Sequence, residues 1–169
     1  LISGPVNLAT PHGVKRLDVC SAEEMLHATL SIIASADVFI ASAAVADYRP
    51  ASIAENKIKK SADALNIELV KNPDIVQTVA ALTEHRPFVV GFAAETNDVI
   101  SYATGKLQRK NLDLIIANNV AEAGIGFNSD ENAVTVINRN GNLHNIDRCS
   151  KTLLAEQLIT LIHEQMLAI

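Results

Sequence analysis

Tryptophan is absent from the 169 residues and aromatic side chains make up only 4% of them, so the core has to be built from aliphatic residues. With 49% hydrophobic residues there is enough of these for one substantial core, and a single globular domain over 1–169 is expected. Only two cysteines occur, Cys20 and Cys149, far apart and outside any Cys-x-x-Cys spacing. A disulfide framework and a thiolate zinc site are thereby excluded, and both residues read as reduced thiols of a cytoplasmic protein. The five histidines are scattered with no pair at ligand spacing, and no serine stands in a nucleophile elbow, which removes zinc-enzyme and serine-hydrolase readings.

Glycine is also scarce, at seven residues, and neither a Gly-x-Gly-x-x-Gly nor a Walker sequence is present. Binding of a dinucleotide or triphosphate through a Gly-rich loop is therefore not expected. No apolar run is long enough to span a bilayer, and the first residues lack the basic-then-apolar layout of a signal peptide, so no membrane partner is expected. Positive charge is in the minority, 14 Lys and Arg against 19 Asp and Glu, and the net charge of −5 argues against a nucleic-acid partner. There is no internal repeat and no low-complexity tract.

What is present alternates between strand and helix. Leu1-Ile2-Ser3-Gly4-Pro5 reads as the end of a buried strand entering a turn. Ser21-Ala22-Glu23-Glu24 has the form of a capping box and opens a helix whose Ala22, Met25, Leu26, Thr29, Ile32 and Ile33 follow at helical spacing. Val38 to Ala44 is a continuous apolar run of strand length, expected as a central parallel strand buried on both faces. Asn72-Pro73 offers a cap and a residue suited to the first helical position, predicting a helix from Pro73 to about Glu84. Phe88 to Ala94 is again strand-like. A helix over Thr96 to Lys110 follows, with Val99, Ile100, Ala103 and Leu107 inward, and then a strand over Leu112 to Ala117. The alternation predicts βαβ units, hence an α/β fold with a mostly parallel, Rossmann-like sheet carrying helices on both faces. Beyond it, Ala133–Ile137 and Leu143–Ile146 flank Asn140-Gly141 as a hairpin, and Ser150 caps a last helix buried through Leu154, Leu158, Leu161 and Ile162. Residues 49–64 are polar, lysine-rich and poorly periodic; they are expected to form a mobile flap.

Open α/β sheets bind ligands beyond the carboxyl ends of their strands, which singles out Ser3-Gly4-Pro5, Ala43-Ala44-Val45-Ala46-Asp47-Tyr48-Arg49, Gly91-Phe92-Ala93-Ala94-Glu95-Thr96 and Ala117-Asn118-Asn119. Small residues let a backbone approach a flat ligand, and Asp47 could accept from ribose hydroxyls or hold a divalent cation; equally, the alanines could serve strand–helix packing and Asp47 could be a solvated turn residue. Lys57-Ile58-Lys59-Lys60 is a dense positive site suited to polyphosphate, or else a solvated charge run. Lys106 and Lys110 lie one turn apart on a shared helix face, as surface lysines commonly do. Lys71-Asn72-Pro73-Asp74-Ile75 sets helix amides beside a lysine, an arrangement that can receive an anion and is also that of an ordinary capped helix. Singly, none of these names a reaction.

In this order, however, the Ala43–Arg49, Lys57–Lys60, Lys71–Ile75 and Gly91–Thr96 segments, with Lys110-Asn111-Leu112-Asp113 and Gly126-Phe127-Asn128-Ser129-Asp130, closely resemble the phosphopantothenoylcysteine synthetases. Those enzymes form the C-terminal half of a bacterial bifunctional coenzyme A biosynthesis protein, and the resemblance covers essentially the whole chain. It implies a Rossmann-like sheet with an added β segment that helps to form a homodimer. It also implies a ligase that joins 4′-phosphopantothenate to cysteine: the carboxylate attacks the α-phosphate of CTP, giving an acyl-cytidylate and pyrophosphate, and the cysteine amine then displaces CMP. Carried over by position, Ala41, Ser42, Ala43 and Phe92 line the cytosine and ribose site. Asp47 and Pro73, Asp74, Ile75 and Val76 meet the nucleotide, and Lys57, Lys106 and Lys110 surround the triphosphate. Magnesium accompanies the CTP, Lys57 acts catalytically from the flap, and FMN belongs only to a decarboxylase domain usually fused upstream. Family members begin with a further strand, a Gly-Pro-Thr turn and an Ile-Ser-Asn segment that supplies an asparagine for the substrate; the present chain is expected to lack that start. An inactive nucleotide-binding fragment is the non-enzymatic alternative, and a nicotinamide-dependent reductase the other enzymatic one, disfavoured by the missing Gly-rich fingerprint.

Overall fold

The computed structural model describes residues 1–59, 64–95, 97–119 and 129–168, with only the backbone of Asn119. In chain order the first elements are β1 (Ile2–Ser3), β2 (Leu17–Asp18), α1 (Ala22–Ile32), β3 (Val38–Ala41), β4 (Tyr48–Pro50), β5 (Leu69–Lys71) and α2 (Ile75–Ala80). They are followed by β6 (Phe88–Glu95), α3 (Val99–Arg109), β7 (Leu114–Asn119), β8 (Glu131–Asn138), β9 (Leu143–Ser150) and α4 (Lys151–Leu167). The chain divides into two compact units, Leu1–Ser31 with Ala43–Ile75, and Ile32–Ser42 with Val76–Ile169.

The larger unit is built on a five-stranded sheet in the order β3-β6-β7-β8-β9. β3, β6 and β7 run parallel, and the β8–β9 hairpin extends the sheet antiparallel. Val89, Val90, Ile115 and Ile116 have no exposed surface. That is why β6 and β7 read as continuous apolar runs: both faces are covered. On one face Val89, Ala93, Ile115, Ala117 and Ile137 pack with Val79 and Ala80 of α2 and Ala103 and Leu107 of α3. On the other Val90, Leu114, Ile116, Val134, Val136 and Ile146 pack with Leu154, Leu158 and Ile162 of α4. The fold is thus the α/β arrangement expected, with helices on both faces.

Several expectations need correction. β3 ends at Ala41 and is an edge strand of this sheet rather than a central one, with half-buried and exposed residues along its length. α2 covers only Ile75–Ala80; there the Ala80 carbonyl accepts from the Arg86 guanidinium at 3.0 Å and from the Asn111 amide at 3.2 Å, which satisfy it in place of a further helical turn. α3 begins at Val99 because Asp98 holds a left-handed backbone (φ 44). Ile100 is exposed rather than inward, while Val99 packs against the core as expected. Ser150 caps α4 as read, its hydroxyl accepting from the Leu153 amide at 3.2 Å. The hairpin forms with Gly141 at φ 80, where glycine costs least, though the connection spans 139–142.

In the smaller unit β1 pairs parallel with β2, and its residues are half-buried rather than fully buried. Ser21 caps α1 as read, its hydroxyl accepting from the Glu24 amide at 3.1 Å, while the Glu24 carboxylate reaches one residue past the cap and accepts from the Cys20 amide at 2.8 Å. β4 pairs antiparallel with β5, so Arg49 and Pro50 of the expected flap stand in a strand. Residues 51–59 are exposed and have no regular structure.

Candidate functional site

Parallel pairing aligns the carboxyl ends of β3, β6 and β7. Ala41 lies opposite Gly91, Phe92 opposite Ile116, and Ala94 opposite Asn118. Ala41 and Phe92 are half-buried and Ser42 exposed. The Gly91 position leaves no room for a ligand on its empty side: a Cβ there would stand 2.7 Å from Cδ1 of Leu112. Its smallness therefore serves packing, and the approach of a flat molecule falls to Phe92 and Ala94, the latter exposed.

Lys106 and Lys110 both root on the C-terminal part of α3 and are half-buried. The Lys106 ammonium donates to the Phe92 carbonyl at 3.2 Å, so two of the expected residues meet on β6. Lys110 is the C-cap residue, one turn further along. At the end of β7, the side-chain oxygen of Asn118 is buried and has no hydrogen-bond partner among the described residues. Strand alternation puts Asn118 on the same sheet face as Phe92, diagonal to it across the β6–β7 register. An unsatisfied amide oxygen is costly in a folded protein, and its presence beside a candidate ring-binding residue marks an acceptor awaiting a donor. The sequence singled out Asn118 only by position; its lack of a partner is a tertiary fact.

In the smaller unit Asp47 and Ala43 are exposed, and Pro73 and Asp74 are half-buried. The Asp47 carbonyl accepts from the Asn72 amide at 2.8 Å, which brings Asp47 beside the Pro73–Ile75 segment. Asn72 was expected as a helix cap. Instead its side chain reaches back: Nδ2 donates to the Ala46 carbonyl at 2.8 Å, and Oδ1 accepts from Arg49 at 3.3 Å. Arg49, which carried no expected role, also donates to the Lys71 carbonyl at 2.8 Å and pairs with Glu23 at 2.7 Å. Lys57 and Lys59 are exposed on the β4–β5 connection. Lys60, Thr96 and Gly126–Asn128 lie outside the described residues. Ile75 is buried and Val76 half-buried at the start of α2.

An open hollow lies at the start of α3, lined by Asp98, Val99, Ile100 and Ser101. Among the described residues no three His, Cys, Asp or Glu side chains cluster so that they could hold a metal ion. Among them, too, no helix is long and apolar enough to cross a membrane.

The chain is 59% identical over 168 residues to the coenzyme A biosynthesis bifunctional protein CoaBC of Vibrio cholerae, a match covering 98% of this chain and 42% of that protein. It is 52% identical over 165 residues to the protein of the same name from Haemophilus influenzae, covering 98% and 41%. The chain thus spans about two fifths of these relatives. Among solved structures, the C-terminal domain of a coenzyme A biosynthesis bifunctional protein CoaBC superposes with a TM-score of 0.79 at 32% identity, over 99% of this chain and 72% of that one. A Cab2 mutant in complex with phosphopantothenate-cysteine shares the fold alone, with a TM-score of 0.65 at 18% identity over 90% and 54%. The family model for the C-terminal domain of the DNA/pantothenate metabolism flavoproteins matches residues 1–166, and the chain belongs to that family.

Proposed function

We propose that this chain is the nucleotide-handling part of a ligase that joins 4′-phosphopantothenate to cysteine at the expense of CTP. The observation that carries the proposal is the hydrogen bond from Lys106 to the Phe92 carbonyl, 3.2 Å, which sets a cation at the β6 strand where the base and ribose are expected. The names of the close relatives, coenzyme A biosynthesis bifunctional proteins, support the pathway, and the ligand named for the Cab2 mutant supports the product.

The first step forms a bond between a carboxylate oxygen of 4′-phosphopantothenate and the α-phosphorus of CTP and breaks the bond from that phosphorus to the bridging oxygen, releasing pyrophosphate. In the second, the cysteine amine attacks the acyl carbon, the acyl–oxygen bond breaks, CMP leaves and the amine gives up a proton. Little covalent work falls to the protein. Its task is positioning and stabilisation of charge on the transferring phosphorus, which suits Lys57, Lys106 and Lys110. Ala41, Ser42, Ala43 and Phe92 would seat the base and ribose, Asn118 would accept from a ligand N–H, and Asp47 and Pro73–Val76 would border the nucleotide. Magnesium enters as part of the substrate, bound to the triphosphate. Of the expected flap 49–64, the part that follows strand β4 would act as a flap in which Lys57 closes over the reactive anhydride and excludes water. Homodimerisation, a cytoplasmic location and an upstream FMN-dependent decarboxylase domain belong to the same proposal.

The test is pyrophosphate release from CTP and 4′-phosphopantothenate with magnesium, with and without cysteine. It is run on this chain and on a longer one that includes the family's upstream strand and Ile-Ser-Asn segment. Release by the longer protein, abolished by Lys57→Gln, is the expected result. Silence from a folded longer protein overturns the ligase and leaves a nucleotide-binding module; reduction of a substrate by NADPH would instead favour a reductase.

A further inference from the structure

The sequence read Asn72 as the cap of α2, and that is not the work its side chain does. Both ends of its amide are engaged within the smaller unit, Nδ2 on the Ala46 carbonyl at 2.8 Å and Oδ1 on Arg49 at 3.3 Å, while its backbone amide donates to the Asp47 carbonyl at 2.8 Å. Arg49 completes a chain of contacts, with Nη1 also on the Lys71 carbonyl at 2.8 Å and Nη2 on Glu23 at 2.7 Å. The β4–β5 ladder, with Tyr48 opposite Lys71, brings the turn ending in Asp47 and the segment Pro73–Ile75 together, and the Asn72 side-chain amide adds a second tie just beyond the end of that ladder.

We infer that Asn72 and Arg49 are positioning residues for the nucleotide: neither touches it, but together they set the spacing of the Asp47 and Pro73–Ile75 segments that border it. This inference rests on the function proposed above. The geometry favours positioning over simple stabilisation for three reasons. Asn72 forgoes the local capping bond open to it and bridges loop to loop. A planar amide that donates at one end and accepts at the other fixes orientation as well as distance, which a lone ion pair does not. The ion pair to Glu23 is solvent-exposed, with side-chain exposures of 37% and 53%, so it adds little stability of its own. Arg49 matters through its forked donors, which reach the Lys71 carbonyl, the Asn72 oxygen and Glu23 at once; lysine cannot reproduce that fork.

The experiment compares Asn72→Asp, Arg49→Lys and Glu23→Gln with the unaltered protein in the pyrophosphate assay and in direct CTP titration by calorimetry, with melting temperature measured alongside. Asn72→Asp keeps an acceptor for Arg49 but sets a carboxylate oxygen against the Ala46 carbonyl. A shift of a border segment by about 1 Å can cost on the order of 100-fold, so Asn72→Asp and Arg49→Lys should raise the KM and the Kd for CTP by about 10- to 100-fold. The kcat of both should stay within about threefold, and Glu23→Gln should change neither constant by more than about twofold. A fall in melting temperature with unchanged KM and Kd overturns the inference and leaves a structural contact; Arg49→Lys gives the same answer if Asn72→Asp does not fold. If the unaltered protein binds CTP without releasing pyrophosphate, the ligase proposal fails while the Kd comparison still decides the role of the bracket. If it binds no CTP, both fall.

Discussion

Arg86 and Asp113 meet at 2.8 Å across the amino end of the sheet, and the same Asp113 oxygen accepts from the Val89 amide at 2.7 Å. The other carboxylate oxygen pairs with Arg139 at 2.9 Å. Asp113 is 3% exposed at its side chain while the two arginines keep access to water. A buried carboxylate is tolerated here because two cations and a backbone N–H share it. Asp113→Ala should cost about 3 kcal/mol, since it strands the buried Val89 amide and removes the anion that Arg86 and Arg139 share, though both arginines keep backbone carbonyl acceptors. A urea unfolding midpoint that does not move at constant m would disprove this account of the network.

Lys106→Met should keep the packing of the aliphatic stem and remove the charge at the Phe92 carbonyl. If Lys106 stabilises the transferring phosphorus, kcat for pyrophosphate release should fall by about 100-fold or more with little change in melting temperature. Retained turnover, with only a weaker affinity for CTP, would reassign Lys106 to uniform binding.

Asn118 offers a test in which stability and function move in opposite directions. Its buried oxygen has no hydrogen-bond partner among the described residues, so Asn118→Leu should raise stability by about 1 kcal/mol and the melting temperature by a few degrees. The same change should weaken CTP binding by about tenfold, the loss of one good hydrogen bond. A lower melting temperature would show that Asn118 already has a structural partner.

At Gly91 the prediction concerns packing alone. The Cδ1 atom of Leu112 occupies the space a methyl group would need, at 2.7 Å, and Leu112 is itself 1% exposed and cannot swing aside into solvent. Gly91→Ala should therefore destabilise by about 1–3 kcal/mol through overpacking, with Leu112→Ala in the same chain partly relieving it. Additive losses in a double-mutant cycle would mean the two side chains do not compete for that space.

Signals carried by neighbouring residues were legible without a structure. Apolar runs located β6 and β7, Asn140-Gly141 located the hairpin, and the Ser21 and Ser150 caps located α1 and α4, because period, turn chemistry and capping depend on residues a few positions apart. The family motifs were legible for the same reason: each is a short contiguous string. Only the tertiary structure decided the rest. It put β3 at the sheet edge, satisfied the Ala80 carbonyl at the end of α2 through Arg86 and Asn111, filled the Gly91 side with Leu112, and turned Asn72 from a cap into a bridge to Ala46. Apart from the Arg86 contact, six residues from Ala80, those outcomes rest on partners more than 20 residues apart or on strand order, and a polar side chain with both a local and a distant partner within reach takes whichever the packed backbone presents in better geometry.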